Sequence, residues 1–279
     1  MYYILYNEKS NGGKTTKIAN KLNKKISENE QTTLLSIYDI YNNEKAFITG
    51  LKKEDSLLLV GGDGTYHEFF NRIYPVSVEC KIYFYPSGRG NDMARDYKKH
   101  KPFEVTHLVN NLPKISVNGQ NSYVYVNGIG MGVDSYVCRE QNKNINFKVK
   151  ESYFKIALRV FKKFVPYSID IEIDGQRKHY EKVWFFVCNN GAYFGGGMKI
   201  TPKAKREDEW LDICIVHNIK LVKLLIMFPL VFKGLHTHVC KKSITFLRVK
   251  NITVRPFGCD VLQLDGEVIE KVDSIEITR

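Results

Sequence analysis

Three short segments carry residue types that can hold phosphate groups. Gly61-Gly62-Asp63-Gly64-Thr65 comes straight after the apolar run Leu57 to Val60. Three glycines in five residues are costly to order unless the chain needs them there, and they allow a nest of backbone N–H donors around a di- or triphosphate. Asp63 stands where a Mg²⁺ or its water shell could be held, and Thr65 could cap a helix or touch phosphate. The plainer alternative is a tight turn with Asp63 as its cap. Pro86-Ser87-Gly88-Arg89-Gly90-Asn91-Asp92 follows a second apolar run ending at Tyr85. Arg89 can pair with phosphate, while Asp92 could cap the next helix or join Asp63 in a magnesium network. Asn7-Glu8-Lys9-Ser10-Asn11-Gly12-Gly13-Lys14 joins a strand-like start to a helical pattern. It offers free N–H groups at a helix N-terminus, or is an ordinary strand-to-helix turn, and its spacing is not that of a Walker A loop.

A second set of residues could act on an acceptor. Leu264-Asp265-Gly266-Glu267 places two carboxylates around a glycine turn. Phosphoryl transfer to an alcohol needs a group that takes the hydroxyl proton, so Asp265 is the candidate base and Glu267 a candidate nucleotide or metal contact. Asp-Gly-Glu is also an ordinary turn. Asn127-Gly128-Ile129-Gly130-Met131-Gly132-Val133-Asp134 is a loose dinucleotide fingerprint without the βαβ context, and reads as a backbone-hugging loop beside a cleft. The run Lys205 to Asp212 offers carboxylates for a metal, or forms a solvated charged turn.

The elements that must position these residues fall into two patterns. Tyr2–Tyr6, Thr33–Ile37, Ser56–Val60 and Lys81–Tyr85 read as strands. Between them, Lys14–Ile26 has apolar residues at Ile18, Ala19, Leu22 and Ile26, and Lys45–Leu51 and Tyr66–Tyr74 are also helical. Alternating strands and helices predict a doubly wound parallel sheet, in which ligands collect at the carboxyl ends of the strands. After about Asn111 strand-like runs dominate: Tyr123–Val126, Ile169–Ile173, Val183–Cys188, Leu211–Val216, Ile252–Val254, Val261–Leu264 and Ser274–Thr278. The expected architecture is an α/β nucleotide-binding domain over 1–112 and a β-sandwich over 113–279 with two inserted helices. The C-terminal tail is left free to return to the first domain.

Composition narrows the partners. A chain of 279 residues, 43% hydrophobic, suits two packed domains and not a disordered one. The net charge of +12 favours acidic partners such as phosphorylated ligands, an anionic membrane or nucleic acid. No aromatic stacking motif supports nucleic acid. The six cysteines lack zinc or redox spacing and read as reduced core residues of a cytoplasmic protein. Met1 to Tyr6 lacks a basic start and is too short for a signal peptide, and the greasiest segment, Leu221 to Leu235, is broken by Lys223, Pro229 and Lys233. Any membrane contact is therefore expected to be peripheral. Lys148 to Tyr167 is an amphipathic pattern with Phe154, Ala157, Leu158, Phe161 and Phe164 on one face and Lys155, Arg159, Lys162 and Lys163 largely off it. It could lie on anionic lipid, or pack on its own domain with a solvated basic face.

Taken together, the motifs resemble the diacylglycerol kinase catalytic family, which includes bacterial lipid kinases and is related to sphingosine and ceramide kinases. Gly61 to Thr65 with Glu68 and Asn71 looks like its signature. Pro86 to Asp92 with Ala94-Arg95 is similar to its Pro-x-Gly-Thr-x-Asn-Asp-x-Ala-Arg. Asn127, Gly130, Gly132 and Asp134 match Asn-x-x-Gly-x-Gly-x-Asp, and Leu264 to Glu267 matches the C-terminal motif. The resemblance implies an ATP- and Mg²⁺-dependent lipid kinase. ATP phosphates would lie on Asn7, Glu8, Lys9, Ser10 and Asn11, on Gly62, Asp63, Gly64, Thr65, Tyr66, His67 and Glu68, and on Arg89, with Glu267 from the second domain and Asp265 as base. It implies a second-domain Mg²⁺ held by Asp208 with the carbonyls of Lys205 and Trp210, alongside the network of Asp63 and Asp92.

Several positions depart from that pattern. Glu8 replaces a usual Pro, Asn11 a usual Gly, Arg89 a usual Thr and Glu209 the Gly after the metal Asp. Ser116 stands where a magnesium-linked Asp is common.

The expected substrate is a lipid alcohol, most simply diacylglycerol, with peripheral contact to an anionic membrane; a homodimer is left open. NAD kinase, which shares the Gly-Gly-Asp-Gly-Thr loop and the layout, is the alternative enzyme. A non-catalytic nucleotide or lipid regulator is the alternative from another class. On this reading Asp265→Asn keeps the fold and nucleotide binding and loses turnover.

Overall fold

The computed structural model describes residues 1–146 and 153–279. The chain divides into two compact units, Met1–Leu112 and Pro113–Arg279.

In the first unit, β1 (Tyr2–Tyr6), α1 (Lys14–Ile26), β2 (Thr32–Ser36), α2 (Glu44–Gly50), β3 (Ser56–Gly61), α3 (Asp63–Ile73) and β4 (Lys81–Pro86) alternate along the chain. They are followed by α4 (Asp92–Tyr97), β5 (Phe103–Glu104) and α5 (Thr106–Asn110). The sheet order is β2-β1-β3-β4-β5, parallel except for β5. β3 is central and nearly all buried, so its sequence is a continuous apolar run with no alternation. α1 covers the sheet with the residues its spacing predicted: Ala19 is fully buried against Ile4, Leu58 and Val60, with Ile18, Leu22 and Ile26 packed around them.

The second unit contains β6 (Lys114–Val117), β7 (Asn121–Val124), β8 (Gly128–Gly132), α6 (Val133–Asn146), α7 (Tyr153–Lys163), β9 (Tyr167–Ile173), β10 (Gln176–Asn189) and β11 (Leu211–His217). It continues through α8 (Leu221–Val231), β12 (Ile244–Val249), β13 (Asn251–Phe257), β14 (Val261–Leu264), β15 (Glu267–Glu270) and β16 (Ile275–Thr278). All eleven strands join one antiparallel sheet that folds over as a sandwich or half-barrel. The fold-over occurs on β10. Its first half pairs with β9; after a register shift between Tyr180 and Val183, its second half pairs with β8 and β11. Such bulges bend a strand and let it change partners. Beyond the bend β10 is buried on both faces: Phe186 and Cys188 enter the core between the sheet layers, while Trp184, Phe185 and Val187 face the helices.

The structure corrects two expectations here. The glycine-rich stretch from 128 is a strand, β8, between β14 and β10, and not a loop. Three helices, not two, are present among the described residues, because α6 follows β8 directly. The C-terminal tail, left free above, forms β16 within the second unit, pairing with β13 and β6, where Ile275 and Ile277 are fully buried. Residues 147–152 of the amphipathic segment, and the side chain of Phe154, lie outside the described part. The remainder, α7, buries Ile156, Ala157, Val160 and Phe161 in its own unit and turns Lys155, Arg159, Lys162 and Lys163 outward.

Candidate active site

Three loops leave the carboxyl ends of the adjacent strands β1, β3 and β4. β1 lies between β2 and β3, so the chain winds away on both sides of the β1–β3 pair, the switch point where such sheets open a crevice. Side chains tie the loops together. Asn7 Nδ2 donates to Thr65 Oγ1 at 3.0 Å. The Thr15 and Ser87 hydroxyls meet at 3.1 Å, and Ser87 N–H donates to Gly61 O at 2.8 Å. Sequence reading missed Thr15 and Ser87 as ties, because a hydroxyl pair 72 positions apart leaves no local signal.

The glycines have two separate reasons. A Cβ on Gly88 would lie 2.6 Å from Gly62 Cα, and one on Gly62 would lie 2.9 Å from Gly88 Cα, so two loop backbones touch there. Gly64 is different: a Cβ would meet nothing within 4 Å, and the residue is exposed in the first turn of α3. Helical glycine costs roughly 0.5–1 kcal/mol relative to alanine, and the chain itself gives no packing reason for it. Neither α3 nor α1 has a side-chain cap; both begin after a glycine, Gly62 and Gly13. Uncapped N–H groups at a helix start are ready to bind an anion. Asn11, in place of the usual glycine, has φ 52° and ψ 36°, a left-handed conformation that asparagine tolerates.

The expected contacts divide accordingly. Asp63 accepts from Asp92 N–H at 3.1 Å and Met93 N–H at 3.4 Å, so it caps α4 across the crevice. The buried Asp92 carboxylate lies 3.9 Å from Arg95 Nε. Tyr66 stacks on Phe84 with ring centroids 3.7 Å apart, and its hydroxyl donates to the carbonyls of Gly61 and Tyr85; its side chain is committed to the core. His67 is buried beside Asn71, and Glu68 pairs with Arg72 at 3.0 Å. Lys9 lies over the Tyr38 ring at 4.2 Å. Glu8, Lys9 and Arg89 are exposed, with Ser10 and Asn11 partly so.

In the second unit Asp265 and Gly266 form the two-residue turn between β14 and β15, both with positive φ (49° and 100°). This matches the Asp-Gly preference of tight hairpins. The Asp265 carboxylate, however, reaches another strand. Its Oδ2 accepts from Val126 N–H at 2.6 Å, and its Oδ1 from Asn127 N–H at 2.8 Å and Gly128 N–H at 3.0 Å. Two of these residues, Val126 and Asn127, are gripped from the other side. Buried Arg206 donates to Val126 O and to Asn127 Oδ1, and Asn190 bonds the carbonyls of Val126 and Asn127. Arg206 went unnoticed because it lies in a charged run that reads as solvated. Glu267 is exposed at the hairpin.

A further acid, Asp134 in the first turn of α6, sits against β8. A Cβ on Gly130 would fall 1.8 Å from Asp134 Oδ2, and one on Gly132 would fall 2.2 Å from Trp184 O. The spaced glycines therefore make room for neighbours, at the expense of β propensity. Asp134 Oδ1 is shielded from water, and burial pushes its carboxyl up to about 7. A folded pKa raised above the usual carboxylate value means that the native state holds a proton the unfolded chain releases. Asp134 thus contributes stability below about pH 4, and this is lost as pH rises towards 7, by on the order of 1.4 kcal/mol per unit in that window. Asp134→Asn should remove that slope; parallel melting curves of wild type and variant from pH 4.5 to 8 would contradict it.

The second-unit metal does not fit these residues. Asp208 Oδ2 is held by Arg248 Nη2 at 2.5 Å and its Oδ1 by Trp210 N–H at 3.1 Å. Arg279 donates to Asp208 O at 3.0 Å, to Arg206 O at 2.7 Å and to Asn190 Oδ1 at 2.7 Å. Two guanidinium groups supply the positive charge there. Without nucleotide, millimolar Mg²⁺ or EDTA should leave the melting temperature unchanged; a rise of several degrees on adding Mg²⁺ would restore the metal.

All six cysteines are free. No described helix is long and apolar enough to cross a membrane.

Uncapped helix N-termini at the carboxyl ends of a doubly wound sheet, followed by a unit of antiparallel strands, form an architecture able to take an anionic ligand. Family models agree: residues 1–117 match the diacylglycerol kinase catalytic domain and residues 127–276 the YegS C-terminal NAD kinase beta sandwich-like domain. The chain belongs to the diacylglycerol kinase catalytic-domain family of lipid kinases. It is 27% identical over 235 residues to YtlR of Bacillus subtilis (strain 168), which carries a lipid kinase name, covering 76% of this chain and 74% of that one. It is 26% identical over 232 residues to a diacylglycerol kinase of Mycobacterium tuberculosis (strain ATCC 25618 / H37Rv), covering 77% and 71%. A crystal structure of a diacylglycerol kinase from Bacillus anthracis str. Sterne shares the fold, with TM-score 0.70 and 20% identity over 100% of this chain and 94% of that one.

Proposed function

We propose that this protein transfers the γ-phosphoryl group of Mg-ATP to a lipid hydroxyl, with diacylglycerol as acceptor and phosphatidic acid as product. The observation that carries the nucleotide part is Gly64. It is a helical glycine with no packing reason, in the uncapped first turn of α3 at the carboxyl end of β3. A phosphate approaching the α3 N–H groups accounts for it. The names of the relatives support the acceptor class.

In the reaction the acceptor oxygen bonds to the γ-phosphorus as the bond to the β–γ bridging oxygen breaks. The hydroxyl proton passes to the Asp265 carboxylate. The loose transition state asks for positioning and charge neutralisation more than for a strong base, so a carboxylate positioned by three N–H donors, which lower its proton affinity, need only take the proton late in the transfer. Mg²⁺ enters with the nucleotide and offsets phosphate charge.

The test is transfer of labelled phosphate from Mg-ATP to diacylglycerol and sphingosine in mixed micelles, with NAD as a soluble control. Labelled phosphatidic acid is expected. Label in NAD alone would make this an NAD kinase, and ATP binding without any labelled product would favour a regulator.

A further inference from the structure

α7 uses its apolar face inside its own unit; α8 does not. Leu224, Met227 and Val231 are buried, yet Val222 and Ile226, one turn apart on the opposite side, are each 69% exposed. A helix apolar all round belongs inside a core or a membrane, and this one has protein on one side only. The ridge continues past its end through Phe232, Leu235 and Val239, all exposed. His236, in the short turn carrying Leu235, contacts Phe246 of β12 with rings 6.0 Å apart, so the turn is anchored.

The charge around this ridge is one-sided. Between Asp212 and Asp260 the chain has six lysines, two arginines and no Asp or Glu. Lys220, Lys223, Lys233, Lys241 and Lys242 are exposed around the apolar residues. Beside the turn lies a cavity of about 520 Å³ lined by Lys203, His238, Lys241 and Arg248, with one carboxylate, Asp212, 3.3 Å from Arg248 Nε.

We propose that the outer face of α8 and the turn after it dock the protein on an anionic phospholipid bilayer. The aliphatic ridge enters the acyl boundary, and the lysines meet the headgroups. The proposal rests on the lipid-acceptor reading above. A second copy of the chain suits the surface poorly: a two-fold interface would bring this lysine-rich face against itself, with no carboxylate in the segment to answer it. Among its described residues α7 turns Lys155, Arg159, Lys162 and Lys163 outward and buries Ile156, Ala157, Val160 and Phe161, so that part can add attraction without insertion.

The experiment is co-sedimentation of the full chain with phosphatidylcholine vesicles, alone and with phosphatidylglycerol, with no ATP present. Binding is expected to the anionic vesicles only. Val222→Asn with Ile226→Asn, and separately Lys233→Glu with Lys241→Glu, should each weaken it at least about tenfold. Both double variants should keep the wild-type circular dichroism and phosphorylate a short-chain, monomeric diacylglycerol at the wild-type rate. Undiminished vesicle binding by the Val222/Ile226 variant overturns the proposal. So does a wild-type dimer that this variant dissociates, with no vesicle binding by either. Vesicle binding that follows this pattern without phosphorylation of any lipid would uphold the docking surface and remove the kinase reading instead.

Discussion

Asp265→Asn is expected to lower the melting temperature as well as abolish phosphoryl transfer. From sequence alone the fold should survive this change. The structure alters that expectation, because both carboxylate oxygens accept backbone N–H groups of Val126, Asn127 and Gly128 at 2.6–3.0 Å. An asparagine offers one acceptor oxygen and turns an NH₂ donor towards an N–H. Each buried donor left without a partner costs about 1–3 kcal/mol, so about 3 kcal/mol is expected in all. For a unit of this size that is a fall of roughly 6–12 °C. Turnover should drop at least about 100-fold, through loss of the proton acceptor and displacement of the segment it holds. Glu267→Gln is the control: it is exposed on the same hairpin and should leave the melting temperature alone while weakening nucleotide binding. Wild-type turnover in Asp265→Asn would remove Asp265 as base. A wild-type melting temperature would mean that the three N–H bonds add nothing to folding.

Gly88→Ala and Gly64→Ala form a pair with opposite signs. At Gly88 the new methyl would lie 2.6 Å from Gly62 Cα, a backbone atom that cannot rotate aside. The loops after β3 and β4 must separate, at a cost of about 1–3 kcal/mol, and the α3 N-terminus shifts with them. ATP affinity should fall at least about tenfold, since each N–H bond lost to a phosphate costs about 1.5 kcal/mol or more. At Gly64 the methyl meets open space, so the helix should gain about 0.5–1 kcal/mol. The same methyl would obstruct a phosphate at the first turn of α3. Thermal unfolding and ATP titration of both variants provide the check: Gly64→Ala should melt higher than wild type and bind ATP more weakly. Unchanged ATP binding in Gly64→Ala would remove the reason for the glycine and, with it, the phosphate position.

Much of the site was legible because its signals are local. The apolar run of Leu57 to Val60 specifies a central buried strand, and glycines directly after it specify a crowded exit. The spacing of Ile18, Ala19, Leu22 and Ile26 specifies the helix that covers the sheet. The turn at Asp265-Gly266 follows from residue types that accept positive φ. These features depend on neighbours in the chain, so sequence by itself determined the α/β order of the first unit, the positions of its strand-to-helix loops and the motif residues in them.

Tertiary structure decided what those residues touch. β8 looks unlike a strand because Gly130 and Gly132 yield space to Asp134 and Trp184, and those contacts are visible only once the sheet is assembled. Asp63 reads equally as a metal ligand or a cap, and only the fold shows that α4 presents two N–H groups to it. The charged run at Lys205 to Asp212 reads as a cation site until Arg248 and Arg279 arrive from residues 40 and 71 positions away. The C-terminal strand could pair in either unit on pattern alone; burial of Ile275 and Ile277 between β13 and β6 fixed its place. Side-chain periodicity records which face of an element is apolar, but not which partner covers it. For that reason the sequence could show that α8 is greasy, and only the fold could show that one side of it is left facing out.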